Sequence, residues 1–421
     1  MDVHEQSDSG YHDALANSII GALAANATRS RSLLGGTVMK IEEVRYSGIA
    51  QIMFLCLLTL GTFDGIFPAI DASETAVSPV FVQQTLFRSQ DDGYHCYRIP
   101  SLLVTERGTI LAFSEARSTD CNDHGDVDLA VKRSTDAGRS WSSMQIIADD
   151  GSHTMGNPCP VVERNTATIW LPVCRTNRAI MIMKSIDDGK TWSEPVDITQ
   201  QATNPAWYWY GTGPGHSIQM RNGRLVIPCW ADATPMLGQI QLSYIFYSDD
   251  AGANWKVGTP LEANMSDECE VVELTDGSLY MNARSRQGKK QRAYAFSEDG
   301  GQTWSPVQFD ESLSEPSCQG GLVRFTDTSR FERNRVVLST PTDANSRSRM
   351  TVRVSYDECQ SWPVSKLVHQ GSSAYSDLAI ADDWHILLLY EADDYSKLTL
   401  ARFNIEWLTD GKDTLISRRN P

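Results

Sequence analysis

One eight-residue pattern, Ser-x-Asp-x-Gly-x-(Ser/Thr)-Trp, constrains this chain more than any other feature. It runs from Ser134 to Trp141, Ser185 to Trp192 and Ser297 to Trp304, and from Ser248 to Trp255 with Asn254 in the Ser/Thr place. A degenerate copy from Ser355 to Trp362 carries Cys359 where the others carry glycine. The start-to-start spacings are 51, 63, 49 and 58 residues. Each copy reads as a hairpin turn. The aspartate can bond backbone ahead of it, the glycine can take a positive φ, and the tryptophan can pack under the turn. Strand-like segments lead into the turns, such as Leu242-Ser-Tyr-Ile-Phe-Tyr and Met350-Thr-Val-Arg-Val. A repeat of this length, holding several strands and one stereotyped hairpin, predicts propeller blades. Residues 79–421 accommodate six blades of about 57 residues each. The expected fold is therefore an all-β, six-bladed β-propeller over 79–421, preceded by an extension over 1–78.

Composition narrows the function. With 41% hydrophobic and 21% charged residues, a mostly disordered chain is excluded. The net charge of −16, from 37 Lys+Arg against 53 Asp+Glu, argues against binding nucleic acid or anionic lipid by bulk charge.

The extension has its own signal. The run Ile49 to Phe63 is about as long as a signal-peptide core and short for a membrane span. Lys40 and Arg45 precede it, and the small residues Ala69 and Ala72 follow. With Met39 as a natural start, residues 39 to about 72 read as an export signal. An uncleaved anchor or a buried helix are the alternatives. The protein is expected to be exported, or anchored through 49–63.

The nine cysteines (56, 96, 121, 159, 174, 229, 269, 318 and 359) form no Cys-x-x-Cys pair. That excludes a zinc ribbon or thioredoxin-like motif. Buried free thiols are the default reading, with one or two disulfides as the alternative.

Chemistry must come from residues outside the repeats. Tyr97-Arg98-Ile99-Pro100 opens the propeller region, followed by Glu115-Ala116-Arg117 and Asp123-His124-Gly125-Asp126-Val127-Asp128. Glu268-Cys269-Glu270 leads to Asn282-Ala283-Arg284-Ser285. Arg347 stands before Met350-Thr-Val-Arg-Val. Ser373-Ala374-Tyr375-Ser376-Asp377 is followed by Tyr390-Glu391-Ala392. In order and spacing these motifs resemble the exo-sialidases (neuraminidases) of bacterial and animal type, over essentially all of 80–412. The repeated turns resemble the Asp-boxes of that family, which also occur in unrelated propellers and lie on the rim away from the active site.

The resemblance implies a retaining exo-α-sialidase that removes terminal sialic acid from glycoproteins, glycolipids or oligosaccharides. The substrate's demands agree with the residues. Its anomeric carbon bears a carboxylate, which planar arginine forks bind bidentately and lysine binds less well. Arg98, Arg284 and Arg347 are the implied triad, with Arg349 and Arg353 as rivals for the third place. Any one arginine out of context is more often a surface ion pair.

The nucleophile must approach beside that carboxylate. A neutral phenol can do so where a second carboxylate would be repelled, and sialidases are the tyrosine exception among glycosidases. Tyr375 fits that role, with Glu268 as its base. Glu270 shares the strand face of Glu268 and spacing alone does not separate them; Glu273 is a further decoy. Asp123 is implied as general acid, with Asp120, Asp126 and Asp128 nearby, and it needs a raised pKa that a loop closing over substrate can supply.

Glu391 is implied to orient Arg98. Arg117, Met155, Asn157 and Tyr210 are implied to line the substrate site, although the Trp207–Tyr210 cluster also reads as an inter-blade wedge. No cofactor or metal is expected. There is no His-Glu-x-x-His motif, and the acidic stretch 120–128 lacks the closing glutamate of a calcium loop. A trans-sialidase using the same residues and a non-catalytic sialic-acid-binding propeller are the competing readings. No nucleic-acid or stable protein partner is implied.

Overall fold

A computed structural model describes residues 77–418, whose regular secondary structure is almost entirely β-strand. The hydrophobic run at 49–63 and the rest of the extension lie outside the described residues. Blade 1 pairs Cys96–Val104, Ile110–Arg117, Val127–Ser134 and Gln145–Ala148 in succession. Blade 2 is built on Thr168–Arg175 and Ala179–Ser185, blade 3 on Leu225–Asp232 and Gln241–Ser248. Short strands flank both pairs, including Met155–Gly156 in blade 2 and Trp209–Thr212 in blade 3. Blade 4 pairs Ser266–Glu273, Leu279–Ser285, Gln291–Ser297 and Gln308–Ser314.

Blades 5 and 6 share one 17-residue strand, Val364–Ile380. Its first part, up to Ser372, pairs with Ser348–Ser355 as the outer strand of blade 5. From Ser373 onward it pairs with Ile386–Ala392 as the inner strand of blade 6. Blade 6 then adds Lys397–Phe403, and the chain's first described strand, Phe81–Arg88, closes it antiparallel.

Six apolar clusters lie between successive blades, and the sixth joins blade 6 back to blade 1. The strands supply both neighbours by their period of two. In Ile110–Arg117, Ile110, Ala112 and Ala116 face blade 6 while Leu111 and Phe113 face blade 2. Both faces are therefore buried, and the strands read as near-continuous apolar runs.

The repeated turns join the third and fourth strands of blades 1 to 5. In the first, the Ser134 hydroxyl accepts from Gly138 N at 2.9 Å, and Asp136 accepts from Ser140 N at 2.9 Å and Ser140 Oγ at 2.6 Å. Gly138 has φ +79°, which explains the glycine. Cys359 holds the equivalent place at φ +68° and donates its N–H to Ser355 Oγ, so the degenerate copy keeps the same turn. Only five copies serve six blades, because the fourth strand of blade 6 is Phe81–Arg88, which precedes blade 1 in the chain, and no hairpin is needed there.

Candidate active site

Strand direction decides where function can gather. In a four-stranded antiparallel blade, inner strands start and second strands end on one face of the ring. The hairpin between third and fourth strands lies on the other. Arg98, Glu268 and Tyr375 stand near the starts of inner strands, while Arg117, Arg284 and Glu391 stand near the ends of second strands. All six therefore meet on the face opposite the repeated turns.

A local device aims three of them. Strand register slips between Arg98 and Ser101, between Ser266 and Cys269, and between Ser373 and Ser376. Each slip is a bulge, which turns side chains out of strict alternation. Ile99 takes φ +58°, an unusual value for a β-branched residue, directly after Arg98. The second bulge separates Glu268 from Glu270, which alternation alone puts on one face. Glu268 reaches Tyr375, whereas Glu270 enters a buried cluster with Asp377 and His216.

Around these residues lies a cavity of about 230 Å³, lined by Arg117, Asp123, Asn157, Glu268, Arg284 and Tyr375 among others. The Tyr375 hydroxyl donates to Glu268 Oε1 at 2.5 Å. It accepts from Arg284 Nη1 at 3.1 Å, and the same nitrogen donates to Glu268 Oε2 at 2.9 Å. Burial first, and the Glu268 charge second, push the phenol's pKa well up, while Arg284 and Arg347 act in the opposite sense. The hydroxyl stays protonated at rest and has an acceptor already in place.

Arg98 is held by Glu391, which has no exposed surface. Nε and Nη2 donate to its two oxygens at 2.9 and 3.2 Å. Glu391 also accepts from the backbone of Ile99 and of Tyr375, so one carboxylate ties together two site strands. Arg347 lies with its guanidinium carbon 5.3 Å from the Tyr375 ring centre. It donates to Ser317 O and Tyr395 Oη and meets no carboxylate among the described residues, leaving donors for an anion. Of its rivals, Arg349 is exposed and bonds Gln370, and Arg353 is buried in strand Ser348–Ser355 with Nη1 unpartnered.

Asp123 stands on an open loop with its side chain 70% accessible. Its Oδ1 accepts from Arg98 Nη1 at 3.1 Å and from Arg117 Nη1 at 3.0 Å. Desolvation at the cavity rim raises its pKa, but Arg117 and then Arg98 outweigh it and hold the carboxyl below its ordinary value. That is opposite to the raised pKa expected of a proton donor, because two guanidinium groups face the Asp123 carboxylate. A disulfide, Cys96–Cys121, ties this loop to the strand of Arg98. Six other cysteines are buried free thiols, so both readings of the cysteines hold in part.

Arg98, Arg347 and Glu391 stand behind the cavity wall, in contact with its lining residues Asp123 and Tyr375, whereas two further expected residues lie in the inter-blade cores. Met155 is 2% exposed and packs with Leu129 and Val173 between blades 1 and 2. Tyr210 joins the core between blades 2 and 3, where its hydroxyl donates to Arg178 O at 2.8 Å. Both fall on short strands whose pairing turns them inward, which favours the wedge reading of the aromatic cluster. Asn157 does line the cavity, at φ +54°, with its N–H donating to Glu115 Oε1.

Residues absent from the expectation also line it. Glu115 accepts from Arg117 Nε at 3.0 Å and was legible as part of the Glu115-Ala116-Arg117 motif. Asp267, beside Glu268, is pushed up to about 6 by burial, against the pull of Arg284. Trp230, Leu237 and Gln241 add walls from blade 3, and nothing in their local sequence marks them.

Residues 108–386 match the family described as BNR repeat-like domain. A sialidase of Bacteroides fragilis is 31% identical over 339 residues, covering 72% of this chain and 61% of that protein. A sialidase of Micromonospora viridifaciens is 30% identical over 367 residues, covering 78% of this chain and 55% of that one. The chain thus spans less than two thirds of the length of either. Among solved structures, the Hadza microbial sialidase Hz136 superposes with a TM-score of 0.71 at 28% identity, covering 78% of this chain and 69% of its own.

Proposed function

This chain belongs to the sialidase family with BNR repeats, and from that premise we propose that it is a retaining exo-α-sialidase. Its substrate is a terminal sialic acid on a glycoprotein, glycolipid or oligosaccharide. The observation that carries the reading is the contact of a buried tyrosine hydroxyl with a carboxylate at 2.5 Å, beside a cluster of arginines.

The substrate carboxylate binds Arg98, Arg284 and Arg347. Binding draws Arg98 away from Asp123, so the aspartate loses one of the charges that hold its pKa down and can carry a proton. Tyr375 Oη attacks the anomeric carbon as its proton passes to Glu268, and Asp123 gives its proton to the departing glycosidic oxygen. A tyrosyl–sugar bond has formed and the glycosidic bond has broken. Asp123 then takes a proton from water, which attacks the same carbon. The sugar–tyrosine bond breaks, Glu268 returns the proton to Oη, and configuration is retained.

Export directed by residues 39 to about 72 belongs to the same proposal. The Cys96–Cys121 disulfide supports it, since such bonds persist in oxidising compartments.

Tyr375→Phe tests the mechanism. Turnover of an aryl sialoside is expected to fall by several orders of magnitude while a sialic-acid-like carboxylate inhibitor still binds. NMR of the wild-type reaction reads anomeric outcome and any transfer to an acceptor sugar. A fluorinated sialosyl donor should label Tyr375, found by peptide mass spectrometry. A label on Glu268 or Asp123, or near-normal turnover of the phenylalanine variant, refutes the tyrosine nucleophile.

A further inference from the structure

Beneath the Tyr375–Glu268 pair lies a second polar group that the mechanism above does not use. His216 Nδ1 stands 2.7 Å from Asp377 Oδ1 and 3.9 Å from Glu270 Oε2. Asp377 and Glu270 have no exposed surface. The three residues come from a loop of blade 3 and the inner strands of blades 4 and 6.

Further bonds bring in two more blades. Asp377 Oδ2 accepts from Leu102 N of blade 1 at 2.7 Å, and Glu270 Oε2 accepts from Leu322 N of blade 5 at 2.5 Å. Gln319 bonds Pro214 O and Glu270 through Nε2 and accepts from Ser376 N through Oε1. The loop of His216 has no slack over this group. A Cβ on Gly215, at φ +125°, would stand 1.7 Å from Glu270 Oε1.

The sequence offsets matter. Glu270 is two residues beyond Glu268, and Asp377 is two beyond Tyr375, each on the same inner strand as its neighbour. Between each pair the strand is bulged or has just left a bulge, so the ladder does not itself fix how the two inner strands face one another. The buried group is the nearest place where those strands are tied across the ring. Two adjacent carboxyls cannot both ionise there at low cost. Burial, and then Asp377, push Glu270 well up, so it stands protonated and can donate to Asp377, while His216 supplies the other donor.

We propose that His216, Asp377 and Glu270 are positioning residues, a buried hydrogen-bonded knot that sets the approach of Glu268 to the Tyr375 hydroxyl. Two of the three arginines are held apart from it, Arg98 by Glu391 and Arg347 by Ser317 and Tyr395, while Arg284 bonds Glu268 and Tyr375 themselves. The knot therefore acts mainly on the chemical step, and reaches anion binding only through Arg284, one arginine of three. The inference rests on the tyrosine-nucleophile reading.

In the full chain, Asp377→Asn turns an amide toward the N–H groups of Leu102 and Leu378, both donors. Turnover per active site, counted by trapping with a fluorinated sialosyl donor, should fall about a hundredfold, the scale of a misplacement near 1 Å. Affinity for a carboxylate inhibitor should stay within about threefold. Glu270→Ala should behave alike, and Glu270→Gln, which mimics a protonated carboxyl, should restore most of the turnover. If Asp377→Asn does not fold, His216→Ala against His216→Asn decides, since the asparagine nitrogen stands where Nδ1 does. Unchanged turnover per trapped site overturns the proposal. So does inhibitor binding that falls in step with turnover, or a Glu270→Gln variant no better than Glu270→Ala. Failure of wild type to trap on Tyr375 would instead remove the premise, and is a separate result.

Discussion

Glu391→Gln separates an arginine that merely lies in the site from one built into it. The substitution keeps side-chain volume and removes one charge. Glu391 accepts four bonds: from Arg98 Nε and Nη2, from Ile99 N and from Tyr375 N. An amide presents one acceptor oxygen and turns an NH2 toward donors. Arg98, 7% exposed, is left as a buried cation whose remaining carboxylate contact is Asp123 on an open loop. Removing one partner of a buried pair costs about 3–5 kcal/mol, and the surviving contact with Asp123 favours the lower end. Urea denaturation should therefore show a loss of about 3 kcal/mol with an unchanged slope. Binding of a carboxylate inhibitor should weaken by about one to two powers of ten, because the fork of Arg98 is no longer aimed. The reasoning is wrong if stability and inhibitor affinity both stay within about 0.5 kcal/mol of wild type.

Arg347→Lys should weaken inhibitor binding by about 1.5–3 kcal/mol with little change in stability, since Arg347 bonds only neutral groups at rest. Arg349→Lys should leave both unchanged, and the reverse pattern transfers the third place in the triad to Arg349. Replacing Cys96 and Cys121 together by serine should lower stability by roughly 3 kcal/mol in the loop-entropy account, and lower turnover several-fold by freeing the loop of Asp123. Equal turnover before and after reduction of the wild-type disulfide would count against that tether. Asp267, raised to about 6 from an ordinary carboxylate value, favours folding when protonated, so its contribution is complete below about pH 4 and lost as pH rises through about 6. Compared with Asp267→Asn in denaturation curves, wild type should lose ground between pH 4 and pH 7, and parallel curves would contradict the shift.

The blade count was legible because a turn needs particular residues at particular places, as Asp136 and Gly138 show. The sixth blade has no such turn, and its presence followed only from length. The arginines and Tyr375 were legible as local motifs. The choice between Glu268 and Glu270 was not, because a bulge is a tertiary fact and period-two reasoning passes over it. Met155 and Tyr210 failed for a related reason. Both sit on strands of two and four residues, where alternation is too short to say which face is inward. Trp230 and Leu237 reach the cavity only through the packing of blade 3 against its neighbours.

The strand that closes the ring carries a cost in time. Phe81–Arg88 is made first among the described strands, and its partner Lys397–Phe403 is made last. The hydrogen bond from Gln83 to Tyr390 spans 307 residues of chain. At about 5–20 residues per second of synthesis, this strand waits roughly 15–60 s with an open edge before its partner exists. Pairings of such long range are slow to form and exposed to aggregation while they wait. A circular permutation that joins the strand behind the 404–418 tail brings it close in sequence to its partner, and should shorten that exposure while the tail keeps its bond from Arg335 to Asp413.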